Sequence, residues 1–221
     1  MHRKIGLRSM ALWLLAVVTG YGYVALILCE RGQPFESGNN SLADFVALSL
    51  ICFALFFTGP IHNIKAKEFS SWPLMLGLLV FVIPFAAALH WDFVGHTLGV
   101  HFSLTPHQLA SLDIRSTLVL ALAASGLAFG CILHLRWAYT EGILASYLST
   151  FGAIVLVIAA ISVAVSETHY LHFHHYCLGL LVFPFCRFST PISVGCQAFF
   201  LGLAVEGVAR WGMDPLWYFV A

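Results

Sequence analysis

Apolar residues fall along this chain in seven long stretches that are separated by polar connections. The stretches cover residues 9 to 29, 42 to 61, 73 to 90, 115 to 135, 144 to 165, 172 to 187 and 191 to 210. A helix needs about 20 residues to cross a hydrocarbon core of about 30 Å, so stretches of this kind are typical of transmembrane helices. The pattern predicts an all-α polytopic membrane protein with about seven transmembrane helices.

Composition agrees with this prediction and bounds the number of domains. Hydrophobic residues make up 60% of the 221 residues, and the mean hydropathy of +0.90 exceeds what a soluble domain needs for its core. Residues 1–221 are therefore predicted to form a single transmembrane domain. The apolar run from Met10 lacks a small-x-small cleavage site, which favours a retained first helix over a cleaved signal peptide. The six cysteines are scattered, so no disulfide framework is indicated.

Three helix starts can be predicted from capping residues. Thr190 precedes Pro191, a residue suited to the first turn of a helix, and Ser41 precedes another apolar stretch. Thr105 with Gln108 fits a capping box. This pair predicts that the fourth helix begins well before its apolar part.

The basic residues predict the orientation of the chain, because cytoplasmic loops are enriched in Lys and Arg. A cytoplasmic amino terminus places seven of the ten basic residues inside, namely Arg3, Lys4, Arg8, Lys65, Lys67, Arg136 and Arg187. Most acidic residues and eight of the eleven histidines then lie on the outer or luminal side of a plasma membrane or endomembrane. Such a face favours cations, and it argues against a nucleic-acid partner, whose phosphates need a basic surface.

Four histidines stand within seven residues in the segment from Glu167 to Tyr176. A helix that begins near Thr168 would place His169, His172 and His175 on one face, with His174 pointing elsewhere. Histidine is the commonest metal ligand, and a mixed histidine and carboxylate shell suits zinc. The predicted metal ligands, which include three residues of an outer loop, are His90, Asp92, His96, His169, His172, His174 and His175. The alternative for any one of them is a polar anchor at the membrane interface.

The last apolar stretch carries a second group of residues on one helical face. Gly195 and Gly202 would allow close helix packing, and Glu206 and Arg210 are spaced to form an ion pair four residues apart. Ionisable residues within a membrane helix are often functional. A purely structural pair near the outer interface is the alternative.

Part of the chain resembles a known family. The run His-Phe-His-His-Tyr from His172, together with Arg187, Gln197 and the ending from Val205 to Gly212, resembles the carboxy-terminal membrane region of fungal LCCL-domain-containing membrane proteins over about 45 residues. No LCCL domain fits in this chain, and Glu206 stands where that family has a neutral residue. The resemblance implies no activity, but it implies that the histidine run and the ending around Arg210 work together.

One predicted function is a metal-dependent hydrolase of a lipid-like substrate, similar in plan to the seven-helix alkaline ceramidase and progestin-receptor superfamily. Zinc held by His172, His175 and either His90 or Asp92 would lower the pKa of a bound water and make it a nucleophile. Glu167 or Asp92 would act as the general base, and Arg210 would stabilise an oxyanion or a lipid phosphate. The predicted catalytic residues are Glu167, Asp92, Glu206 and Arg210.

Two other functions use the same residues. Bis-histidine haem ligation by His62 and His134 near one membrane surface, and by His90 with His169 or His172 near the other, would resemble the two-haem ascorbate-reducible cytochromes. A non-catalytic metal carrier or structural subunit is the third possibility. Membrane lipids and either membrane-protein partners or further copies of the chain are the predicted partners.

Overall fold

A computed structural model describes residues 2–28, 41–58, 74–98, 112–171 and 174–219. Its helices are α1 (His2–Tyr23), α2 (Ser41–Phe56), α3 (Leu74–Leu89), α4 (Trp91–Leu98), α5 (Ile114–Thr140), α6 (Leu144–Ala164), α7 (His175–Val182) and α8 (Pro191–Trp211). A π turn, Val24–Leu28, follows α1, and a 3-10 turn, Phe183–Phe185, follows α7. Two short strands, β1 (His169–Leu171) and β2 (Trp217–Phe219), pair antiparallel. The prediction of an all-α chain is confirmed apart from this strand pair.

Four helices of the described residues are long and apolar enough to cross a membrane: Met10–Leu28, Ile114–Thr140, Leu144–Ala164 and Pro191–Trp211. Three shorter apolar helices are Leu42–Phe56, Leu79–Leu89 and His175–Phe185. These helices are compatible with an integral membrane protein. Seven crossings and a cytoplasmic amino terminus stay predictions.

Helix α8 is the centre of the molecule. Thirteen of its 21 residues are buried, and α1, α2, α3 and α7 pack around it. Helices α5 and α6 lie at the periphery, since three residues of α5 and none of α6 are buried. The apolar side chains of these two helices face outwards, which suits a lipid surrounding.

Small residues let backbones approach α8 closely. A Cβ atom on Gly202 would lie 2.6 Å from the carbonyl oxygen of Phe85 in α3, and one on Gly179 of α7 would lie 2.5 Å from that of Phe200. No side chain fits at either contact, so the predicted packing role of Gly202 is confirmed. Gly195 is different, because a Cβ there would make an ordinary contact of 3.6 Å with Pro84.

Aromatic side chains fill the space where α1, α2 and the 3-10 turn meet. The ring of Trp13 packs on those of Phe56 and Phe183, with centroids 6.2 and 5.5 Å apart. Its Nε1–H donates to the carbonyl oxygen of Cys52 at 3.2 Å, which satisfies the buried indole. This cluster joins the first two helices to the segment that precedes α8.

One of the three predicted helix starts is confirmed. Thr190 accepts a hydrogen bond from the amide of Ser193 at 3.2 Å, directly before Pro191. Ser41 is the first described residue of α2, so its predicted capping role stays a prediction. The early start of the fourth helix is wrong, because α5 begins at Ile114 with Asp113 as its cap. Hydrogen bonds from Ser116 hold the pKa of the Asp113 carboxyl below its usual value. A capping residue of this kind marks the first turn of a helix, so α5 starts directly after Asp113. Thr105 and Gln108 lie outside the described residues.

Two further boundaries differ from the prediction. Residues 91 to 98 were expected in a loop but form α4. The sixth apolar stretch, expected at 172 to 187, is helical only from His175, and its α-helical part ends at Val182. Pro184 has no amide hydrogen for a further i to i−4 bond, so the chain tightens into a 3-10 turn.

Gly202→Ala is expected to destabilise the protein by about 1 to 3 kcal/mol, because the added methyl overlaps the backbone of α3 and forces α8 away from it. The measurement is thermal unfolding in detergent. Gly152→Ala in α6 is the matched control, since nothing lies within 4 Å of a Cβ at that position. Equal melting temperatures for the two variants would contradict the close contact.

Candidate functional site

Four of the predicted site residues form a bonded chain where α8 ends and α7 begins. Oε1 of Glu206 accepts from Nε of Arg210 at 2.9 Å, and Oε2 of Glu206 lies 2.8 Å from Nε2 of His175. Nη1 of Arg210 lies 3.4 Å from Oδ2 of Asp92 in the first turn of α4. These four residues are called the ion network, and this end of the molecule the histidine end. The predicted pair of Glu206 and Arg210 is confirmed.

The ion network is buried in its middle and open at both ends. The side chain of Glu206 has no exposed surface, whereas that of Arg210 is 16% exposed, that of Asp92 28% and that of His175 29%. An unpaired carboxylate at such a depth would be very costly. Two charge-assisted hydrogen bonds, one on each oxygen, offset that cost.

A missing side chain allows the imidazole to reach Glu206. A Cβ on Gly207 would lie 2.7 Å from Nε2 of His175 and 2.8 Å from Cβ of Tyr176. The residue after the buried carboxylate is therefore glycine because the ring occupies the space of its side chain. The sequence contains this glycine, but only the packing of α7 on α8 gives it a role.

The contact with Glu206 also indicates which nitrogen of His175 carries hydrogen. An ionised carboxylate only accepts hydrogen bonds, so Nε2–H donates to Oε2. In the neutral ring, Nδ1 then keeps a lone pair. An imidazole oriented in this way can bind a metal or take up a proton through Nδ1.

The other described histidines of this end contact other parts of the chain. His174 Nε2 lies 3.0 Å from the hydroxyl of Tyr218 in β2, and the ring of His169 lies 4.1 Å from that of Phe219. Burial raises the pKa of Tyr218 to about 12, so the phenol stays protonated and can donate to His174 at neutral pH. These contacts hold β2 against the histidine run.

His90 joins α1 to the start of α4. Its Nε2 lies 3.3 Å from the hydroxyl of Tyr23, and the two rings meet edge to face. His172 and the side chain of His96 lie outside the described residues. Of the predicted ligands, only Asp92 and His175 belong to the ion network.

The predicted common face of His169, His172 and His175 is wrong for His169. Residues His169–Leu171 form β1, and α7 begins six residues after His169. The helical spacing fails because β2 returns from the end of α8 and pairs with this segment. His174 occupies the position before the first residue of α7.

The structure brings together three of the four predicted catalytic residues. Asp92, Glu206 and Arg210 come together in the ion network, whereas Glu167 is exposed in the turn after α6 and forms no ion pair with a described residue. Among the residues that the structure describes, no three His, Cys, Asp or Glu side chains are grouped closely enough to hold a metal ion.

Known proteins add nothing to the interpretation of this site. Comparison of the chain with models of protein families, with curated proteins and with solved structures found no match. The resemblance of the histidine run to LCCL-domain-containing membrane proteins stays a prediction.

A second polar pair, which the sequence did not indicate, lies near the other end of α8. His134 of α5 is 2.7 Å from the carbonyl oxygen of Gly130 through Nδ1 and 3.0 Å from the hydroxyl of Ser193 through Nε2. The amide of Phe188 donates to the same hydroxyl oxygen at 3.1 Å. Both ring nitrogens of His134 are thus engaged, so haem ligation by this residue would require breaking one of these hydrogen bonds.

Glu206→Gln is expected to lower the free energy of unfolding by about 3 kcal/mol, because it removes the buried charge that pairs with Arg210 and leaves the guanidinium with Asp92 alone. Chemical or thermal unfolding in detergent measures the change. Glu167→Gln is the matched control, since the same substitution at this exposed residue removes no ion pair. A loss of the same size in both variants would refute the importance of burial.

Tyr218→Phe is expected to destabilise the protein by about 1 kcal/mol, because it removes the hydroxyl that bonds to His174. Tyr139→Phe in α5 serves as the control, since that side chain is 72% exposed. Limited proteolysis of the carboxy-terminal residues should accelerate for Tyr218→Phe alone. Unchanged proteolysis would mean that the hydrogen bond does not hold β2 in place.

Proposed function

We propose that this chain is a multi-pass integral membrane protein in which His175 binds a divalent metal, with zinc best suited, at the histidine end. The metal would activate water for hydrolysis of a lipid-like substrate. One observation carries the proposal: Nε2 of His175 is held 2.8 Å from the carboxylate of Glu206, which is completely buried.

A carboxylate behind an imidazole is the usual support of a metal-binding histidine. Metal-ligating histidines almost always donate their other ring N–H to a carboxylate, carbonyl or water, which fixes the tautomer and makes the free nitrogen more basic. Glu206 can have this role for His175, with Nδ1 as the ligand atom. The partly exposed side chain of His175 suits access by a metal.

The geometry changes the roles proposed for the other residues. Asp92 pairs with Arg210, and His90 contacts Tyr23, so neither residue is held in a free position for a metal. Asp92, Arg210 and Glu206 are better suited to positioning His175 than to contacting the substrate. His172 and His96 remain the proposed additional ligands on the basis of the sequence alone.

The surroundings of the histidine end support the proposed lipid-like substrate. It lies at the ends of apolar helices, where Trp211 is 52% and Phe219 76% exposed, so a water-activating group there would meet molecules of the membrane interface. Zinc lowers the pKa of a bound water towards 7, which supplies a nucleophile. Exposed Glu167 stays the proposed general base. The excess of basic residues in the segments that the sequence predicts to be cytoplasmic supports an outer or luminal position for the histidine end.

A non-catalytic role is the second candidate, and the contacts of the other histidines favour it. His169 and His174 contact β2, and His90 contacts α1. In this role the histidines join the parts of a structural subunit, and the outward faces of α5 and α6 are available to lipids or to a membrane partner. Haem ligation has less support, because both nitrogens of His134 are engaged.

Purified wild-type protein is expected to hold about one zinc ion per chain, and His175→Ala is expected to lose it. Glu206→Gln should weaken zinc binding by about 10- to 100-fold, the usual effect of removing a partner behind a ligand. Elemental analysis and zinc titration in detergent provide the measurements. An absorbance spectrum of the same preparation tests the haem alternative through its Soret band.

His174→Ala is the matched control, because this neighbouring histidine contacts Tyr218 rather than Glu206. It should lose stability and keep zinc. A wild-type protein without zinc, or zinc retained by His175→Ala, would overturn the metal site. A melting temperature lowered in both alanine variants, without any zinc in the wild type, would support the non-catalytic role.

A further inference from the structure

A groove of about 400 Å³ separates the first half of α6 from the rest of the bundle. One wall is a face of α6, and the other is formed by the end of α2 together with α7 and its 3-10 turn. The residues that α6 contributes are Ser146, Tyr147, Thr150 and Ile154, together with its cap residue Ile143. We call this space the Tyr147 groove. It shares no residue with the ion network.

The length of the Tyr147 groove matches one leaflet of a bilayer. Its residues on α6 recur at three- and four-residue steps, so they lie on one face of the helix. From Ile143 to Ile154 the helix rises roughly 16 Å at 1.5 Å per residue. Half of a hydrocarbon core of about 30 Å is about 15 Å. The groove therefore runs from the helix end to about the middle of a membrane.

The hydroxyl groups along the groove donate to nearby carbonyl groups. Ser146 donates to the carbonyl oxygen of Ile143 at 2.9 Å, and Thr150 donates to that of Ser146 at 2.8 Å. The hydroxyl of Tyr147 crosses the groove and donates to the carbonyl oxygen of Phe185 at 3.2 Å. These bonds leave walls that suit an apolar chain better than a polar solute.

A positive charge lies at the end of the groove where α6 begins. Arg187, which lines the groove, is partly exposed and follows Phe185 by two residues. Exposed Arg136 lies near the end of α5 that leads into α6. A guanidinium matches the geometry of a phosphate group, which it can bind through two N–H donors.

We propose that the Tyr147 groove binds an anionic phospholipid, with one acyl chain between α6 and α7 and the headgroup phosphate on Arg187. Apolar walls, a length of one leaflet and a basic group at the surface end match the parts of such a lipid. The lipid would add to the contacts of α6, which has no buried residue and meets the bundle where Tyr147 bonds to Phe185. The inference is independent of the metal site.

The test compares phosphatidylglycerol with phosphatidylcholine of the same acyl chains, bound to the full-length protein in detergent micelles and quantified by native mass spectrometry. The wild type is expected to prefer phosphatidylglycerol by about fivefold, the effect of one basic residue on an anionic headgroup. Arg187→Gln should abolish this preference, and Arg187→Lys should keep most of it. Arg136→Gln, which changes an exposed arginine of the same end, should have no effect.

A second variant tests the acyl-chain part of the groove. Ser146→Phe fills the space between the walls and should reduce the binding of both lipids several-fold, while Ser149→Phe on the exposed side of α6 should not. Equal retention of both lipids by the wild type would overturn the proposal. So would a preference that survives Arg187→Gln, or one that inorganic phosphate abolishes by competing for the arginine.

Discussion

The burial of one carboxylate determines how this molecule is assembled at its histidine end. Glu206 has no exposed surface and lies on the most buried helix of the described chain. A charge in such a place is stable only if both oxygens have partners. Arg210 supplies one from the next turn of the same helix, and His175 supplies the other from α7. Pairing the charge of Glu206 therefore requires α7 to lie against α8.

Close backbone contact makes this arrangement possible. Gly202 and Gly179 remove the side chains that would keep α3 and α7 away from α8, and Gly207 leaves room for the imidazole itself. Helices that pack in lipid depend on such small residues, because the surrounding acyl chains are as apolar as the side chains. Glycine therefore has two uses on α8, one in packing and one in opening the site.

The four neighbouring histidines are not equivalent. His169 lies in a strand, His174 precedes a helix and contacts the returning strand, and His175 meets the buried carboxylate. Of the three that the structure describes, only His175 combines a partly exposed side chain with a charged partner behind it. For this reason the metal is proposed to bind His175, whereas His169 and His174 are given a structural role. The shared contact of His175 and Arg210 with Glu206 is a physical basis for the proposed link between the histidine run and the ending around Arg210.

Several features could be predicted from the sequence because they depend on neighbours along the chain. The apolar stretches indicated a helical membrane protein, Thr190 marked a helix start, and Glu206 with Arg210 formed the expected pair. Other features required the tertiary structure. The pairing of β1 with β2 overrode the helical spacing of the histidines, since strand hydrogen bonds join segments about 50 residues apart. The contact of His175 with Glu206 spans 31 positions, and no local pattern encodes it. It exists because α7 and α8 pack closely at Gly179 and Gly207, which lets a partly exposed imidazole reach a buried charge.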